Sequence, residues 1–132
     1  MTVLLDTNIL IDFFHDTLRA VVLIRSLAGS QFRVSTLTLM EIVRGAHKTK
    51  TPERYINEFK NFLTDFSVDV WPVDEAVAIR CGELLAAMEQ RGIRLGVIDA
   101  LLAATALHYK SSIATDDAIF RKIPGLFVRH TA

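Results

Sequence analysis

Residues 2–14 read TVLLDTNILIDFF, and the first four of them decide the fold class. Val3, Leu4 and Leu5 follow one another with no polar residue between them, so residues 2–5 read as a short strand buried on both faces. Asp6 closes the run, and residues 8–14 read as one or two helical turns. Working outward, residues 17–27 form an amphipathic helix ending near Gly29. Residues 31–36 are a second strand, and residues 37–47 a helix with Gly45 near its end. Thr51-Pro52 is an N-cap followed by proline at the first helical position. The helix it starts runs to about residue 64 and buries Tyr55, Phe59, Phe62 and Leu63.

The second half repeats this alternation. Residues 67–71 are a third strand, stopped by Pro72. Asp74 caps a helix that runs to about residue 90 with Val77, Leu84, Leu85 and Met88 inward. The Arg91-Gly92 turn leads to Gly96 and a helix over 97–109. Residues 113–115 are a fourth strand, 118–121 a short turn, and 126–129 a fifth strand after Pro124-Gly125. Short apolar strands alternating with longer helices predict an α/β fold around a parallel sheet covered on both faces.

At 132 residues and 51% apolar, the chain is expected to be one compact domain over 1–132. Stretches such as 100–107 are far shorter than the ~20 apolar residues that span a bilayer. Met1-Thr2 leads straight into a strand, without the pattern of a signal peptide. The single cysteine, Cys81, falls inside a helix and allows neither a disulfide framework nor a cysteine zinc site. These features predict a cytoplasmic location. Lys+Arg and Asp+Glu are both 15, so no basic excess advertises a nucleic-acid partner.

The acids are more telling. Asp6 and the Asp116-Asp117 pair follow strands, while Glu41 and Asp99 fall in the expected first turns of helices. Right-handed crossovers bring every strand end, and every following helix start, to one edge of a parallel sheet, where ligands bind. Carboxylates gathered there repel one another unless a cation holds them. This pattern points to Mg²⁺ or Mn²⁺ and to phosphodiester chemistry. Each acid also has a plainer reading. Thr38 and Glu41 are spaced as a capping box, Asp6 can cap the helix after it, Asp99 suits a helix dipole, and Asp116-Asp117 suits a turn.

The strings LLDTNILID (4–12), TLMEIVRGA (38–46), VIDALLAATAL (97–107) and IATDDAIFRKIPGL (113–126) together resemble the PIN domain, and within it the VapC-type toxins of bacterial toxin–antitoxin pairs. The resemblance implies a three-layer α/β/α sandwich on a five-stranded parallel sheet. It implies metal-dependent endoribonuclease activity, with Asp6, Glu41 and Asp99 matching three acidic positions of the family. T-x-D-x-x-F aligns Asp117 as the fourth ahead of Asp116, while Ile119 stands where some relatives have an acid. Thr7, Asn8 and Thr115, with Asp116, match polar residues that hold such carboxylates in place. The resemblance further implies a VapB-like antitoxin that covers the site, a toxin homodimer, and promoter DNA engaged only through the antitoxin.

Such an ion would activate a water for in-line attack on phosphorus, with one ion or two left open. His15, His47, His108 and His130 are scattered and fit no general-base position. Arg44, Lys48 and Lys50, with Arg54 and Lys60, are either a solvated helical face or contacts to an RNA backbone. Arg91 and Arg94 divide the same way. Phe13, Phe14, Leu18, Val21 and Val22 are core or, in part, a groove for a partner. A phosphatase using Asp6 as nucleophile wants D-x-D-x-T, and Asn8 stands at its second acid. A phosphorylated receiver domain wants an acidic pair at the first strand and a lysine near the last. The non-enzymatic alternative is a PIN-like module that binds DNA through its partner.

Overall fold

The computed structural model describes residues 1–131. In chain order it contains β1 (Thr2–Leu5), α1 (Thr7–Phe14), α2 (Leu18–Ser26), β2 (Gln31–Ser35), α3 (Thr36–Ala46) and α4 (Pro52–Asp65). There follow β3 (Asp69–Trp71), α5 (Glu75–Gln90), α6 (Val97–His108), β4 (Ser112–Ala114), a 3-10 turn at Ala118–Lys122, and β5 (Val128–Arg129). The strands pair in parallel in the order β3-β2-β1-β4-β5. No helix among the described residues is long and apolar enough to cross a membrane.

β1 lies at the centre because it has apolar side chains for both faces. Val3 and Leu5 join a cluster with Leu10, Ile24, Val34, Phe59 and Phe62, whereas Leu4 joins Val77, Met88, Leu102, Ile113 and Phe120. The helices α1 to α4 therefore cover one face, and α5 and α6 cover the other, as the three-layer resemblance implies. Ala100, Ala103, Ala104 and Ala106 are fully buried, so α6 settles close against its neighbours without large side chains to hold it off.

Winding proceeds from β1 outward through β2 to β3, then restarts on the other side of β1 with β4 and β5. Connections leaving β1 and β4 diverge at this reversal. A crevice opens between the C-terminal ends of those two strands, and it is there that ligands bind in open α/β sheets.

Several boundaries move relative to expectation. β2 stops at Ser35, which is also the N-cap of α3: its Oγ accepts the Leu37 N–H at 3.0 Å. The helix starts at Thr36 with no loop, so Thr38 already lies inside the first turn and the expected Thr38–Glu41 capping box does not form. The third strand begins at Asp69, not 67, because Ser67 takes a left-handed φ of 52° that no strand allows. The fourth shifts by one residue to Ser112–Ala114, and the fifth shrinks to Val128–Arg129. Thr51 makes no side-chain cap although Pro52 is in place, and Tyr55 is exposed where its helical spacing predicts burial.

Asp74 does cap α5, its Oδ1 accepting the Val77 N–H at 3.0 Å. Asp74→Ala is expected to destabilise the protein by about 1 kcal/mol. In urea the midpoint should fall while the slope stays constant.

Candidate active site at the sheet reversal

Asp6 is the first residue beyond β1, and its N–H donates to the Ala114 carbonyl of β4 at 3.0 Å. This bond fixes the residue at the reversal. Although Asp6 stands at the N-cap position of α1, its side chain makes no capping bond. The carboxylate instead accepts the Thr115 hydroxyl at 2.8 Å, and the residue is only 8% exposed. Burial raises its carboxyl above the ordinary range; the Thr115 hydroxyl and the Thr7 backbone pull it down, while Asp99 and Glu41 push it up.

Glu41 lies in the second turn of α3, a correction to its expected first-turn place that follows from the early helix start at Thr36. What aims it is a hydroxyl on another helix. Thr7 Oγ1 lies 2.7 Å from Glu41 Oε1 and 3.1 Å from the buried Thr38 hydroxyl. With a single proton to give, Thr7 donates to the carboxylate and Thr38 can complete the chain. Two helices are stapled at the site in this way.

Asp99 occupies the first turn of α6, where the helix dipole favours a carboxylate by about 0.3–1 kcal/mol. Its carboxyl is nevertheless raised, first by burial and then by the charges of Asp117 and Glu41. Asp117 caps the 3-10 turn through Ile119 N–H at 3.1 Å and donates its own N–H to Thr115 Oγ1 at 3.1 Å.

Asp116 turns the other way. Its two oxygens accept the N–H and the hydroxyl of Thr131, both at 2.8 Å, and Arg19 stands 4.0 Å off. Asp6, Glu41, Asp99 and Asp117 thus share one electrostatic neighbourhood, and Asp116 is engaged outside it. Asn8 is exposed and makes no side-chain hydrogen bond among the described residues, unlike Thr7 and Thr115. Arg44, Lys48 and Lys50 are exposed on the last turn of α3 and just beyond it. Sequence reading gives no site role to Thr131 and takes Thr38 for a cap. Neither residue has a local signal, because each acts on a partner distant in the chain.

Among the described residues the ion pairs are Arg19–Asp116 and Arg33–Asp69, so no cation neutralises the four clustered acids. Hard oxygen donors with uncompensated charge suit Mg²⁺ or Mn²⁺, whereas zinc would want the nitrogen or sulfur that these residues lack. Among the described residues, no group of three or more His, Cys, Asp or Glu side chains stands close enough together to hold a metal ion. Mg²⁺ does not require such a group, since it keeps several waters and takes one or two carboxylates directly.

The family model for the PIN domain matches residues 3–126. The tRNA(fMet)-specific endonuclease VapC of Shigella flexneri is 30% identical over 124 residues, 93% of this chain and 92% of that protein. A chain of VapBC2 from Rickettsia felis, solved bound to a DNA fragment from its promoter, aligns over 100% of both chains with a TM-score of 0.87 at 24% identity. A chain from a toxin–antitoxin complex of Klebsiella pneumoniae aligns over 98% of this chain and 99% of its own, with a TM-score of 0.75 at 26% identity.

Proposed function

The chain belongs to the PIN domain family, and from that premise we propose that it is a VapC-type, metal-dependent endoribonuclease held inactive by a cognate antitoxin. The observation that carries the reading is the set of four acids at the sheet reversal, without a neutralising cation and with Asp6 and Glu41 each held by a buried hydroxyl.

Asp6, Glu41, Asp99 and Asp117 would hold Mg²⁺ or Mn²⁺. The chemistry such an ion would supply there is activation of a water and neutralisation of phosphoryl charge. The chain's own contribution is preorganisation. Thr115 holds one Asp6 oxygen, and Thr7 holds one Glu41 oxygen. Both carboxylates thereby keep their direction before any ion or RNA arrives.

A groove of about 490 Å³ runs from Glu41 between α1, α3 and α4, lined by Ile11, Phe14, Ile42, Arg54 and Tyr55 among others. Arg44, Lys48 and Lys50 lie close by in sequence and would meet the RNA backbone. The apolar floor of the same groove suits a VapB-like antitoxin, in keeping with the toxin–antitoxin complex of the Klebsiella relative. On this reading the protein is a cytoplasmic homodimer, and it meets promoter DNA only through the antitoxin.

Antitoxin-free protein incubated with mixed tRNA and rRNA should make discrete cuts with Mg²⁺ or Mn²⁺ and none with EDTA. Absence of cutting by folded, metal-supplied protein on every RNA would return the chain to the binding-module alternative.

A further inference from the structure

We propose that Asp116 and Thr131 form a clasp that positions Asp117 for metal binding, which makes Thr131 a positioning residue of the site. The inference rests on the function proposed above. Residues 115 to 117 lead from β4 into the 3-10 turn, with Asp117 at φ −73° and ψ 116° and its N–H returned to Thr115 Oγ1 at 3.1 Å. Thr115 points inward, its hydroxyl donating to Asp6 at 2.8 Å. Asp116 turns away onto Thr131, while Asp117 bonds back to the loop at the site through Thr115 and Ile119.

Two adjacent, chemically identical side chains leave this choice open. A rotation of the short segment would exchange Asp116 for Asp117. Asp117 is held locally, its N–H on Thr115 Oγ1 and its Oδ1 on the Ile119 N–H, both at 3.1 Å, and Asp116 is held by Thr131. Thr131 presents an N–H and a hydroxyl together, each 2.8 Å from a different oxygen of Asp116, so the outward carboxylate is held at both ends. The strand ladder brings Thr131 there: Thr115 N–H donates to the Arg129 carbonyl at 2.9 Å, which seats the residues after β5 alongside the loop. Arg19 adds little, because its 4.0 Å contact is at the limit of an ion pair and its side chain is 68% exposed.

Substitutions at Asp116 separate this role from a direct one. Asp116→Asn would keep both bonds, the new Oδ1 accepting the Thr131 N–H and the new amide donating to the Thr131 hydroxyl, while the charge is lost. Asp116→Ala loses the clasp and the charge together. Mn²⁺ affinity, read from the free-ion signal in electron paramagnetic resonance, should fall at least about 10-fold in Asp116→Ala, the scale of losing a residue that orients a ligand. Asp116→Asn should stay within about threefold of wild type. Thr131→Val, which loses the hydroxyl and keeps the N–H, should fall between the two, and Thr131→Ser should restore affinity.

Equal losses in Asp116→Asn and Asp116→Ala would mean that Asp116 acts by charge, and the clasp would be wrong. So would wild-type affinity in Asp116→Ala. If wild-type protein bound no Mn²⁺ at all, the metal site itself would fail and take the clasp with it. That result is distinct from normal binding by every variant, which removes the clasp alone.

Discussion

Asp6→Asn and Asp99→Asn are each expected to abolish the proposed metal-dependent RNA cleavage, with a loss of more than about 100-fold, while the protein stays folded. The bound on the loss comes from comparison: removing a residue that only orients a ligand costs about 10–100-fold, and a residue proposed to hold the ion must cost more. Asparagine is the right probe because it preserves size. At position 6 its Oδ1 can still accept the Thr115 hydroxyl, and the N–H bond to Ala114 is untouched. Only the charge is lost. Gel assays on tRNA, with circular dichroism to confirm folding, measure the result. Activity within tenfold of wild type in both variants would mean that these acids serve capping and dipole roles alone.

Without divalent metal, Asp6→Asn is expected to be more stable than wild type at neutral pH, by about 1 kcal/mol, the usual scale of a single stabilising substitution. Asp6 and Asp99 both hold raised carboxyls, chiefly through burial. The sign follows from proton counting. In the folded state these groups keep their protons at a pH where the unfolded chain has released them. Folded protein therefore binds more protons, and stability falls as pH rises from the ordinary carboxylate range through the raised values. Lowering the pH from neutrality restores it. The advantage of Asp6→Asn is largest near neutral pH and shrinks on acidification. Mn²⁺ reverses the ranking, since an ion at 100 times its dissociation constant stabilises the native state by about 2.7 kcal/mol and the variant loses most of that gain. Thermal melts across pH, with Mn²⁺ or EDTA, test both parts. A metal-free variant that melts below wild type at neutral pH would overturn the first, and equal Mn²⁺ shifts would overturn the second.

How far the sequence can be read depends on the range of the interaction involved. Val3-Leu4-Leu5 announces a strand buried on both faces because its apolarity is local, and the placement of Val3 and Leu5 against one core and Leu4 against the other follows. The convergence of Asp6, Asp99 and Asp117 also follows, from the parallel topology alone. Helix α3 is different. Its first residues, S-T-L-T-L-M-E, offer three hydroxyls as N-cap candidates. The choice of Ser35 is made by the strand pairing that places it opposite Trp71, and that pairing has no trace in the local sequence. Thr38 then becomes free to serve Thr7 across 31 residues. Asp116 and Asp117 are adjacent and chemically alike, and the bonds that tie Asp116 to Thr131, 15 residues on, leave no local trace. The edge strand β3 is shorter than its sequence suggests because Ser67 takes a left-handed φ of 52° ahead of it.

The central place of β1 has a consequence in time. The ribosome makes Asp6 early, yet the hydroxyl that fixes its carboxylate lies 109 residues later in Thr115. At about 5–20 residues per second, roughly 5–20 s pass between them. Throughout that interval β1 lacks β4, its neighbour on one side, so the crevice has only one wall. A chain with this topology cannot assemble the proposed site until β4 and Thr115 have been made. On the proposed function, the chain is harmless to the RNA of the ribosome over that interval.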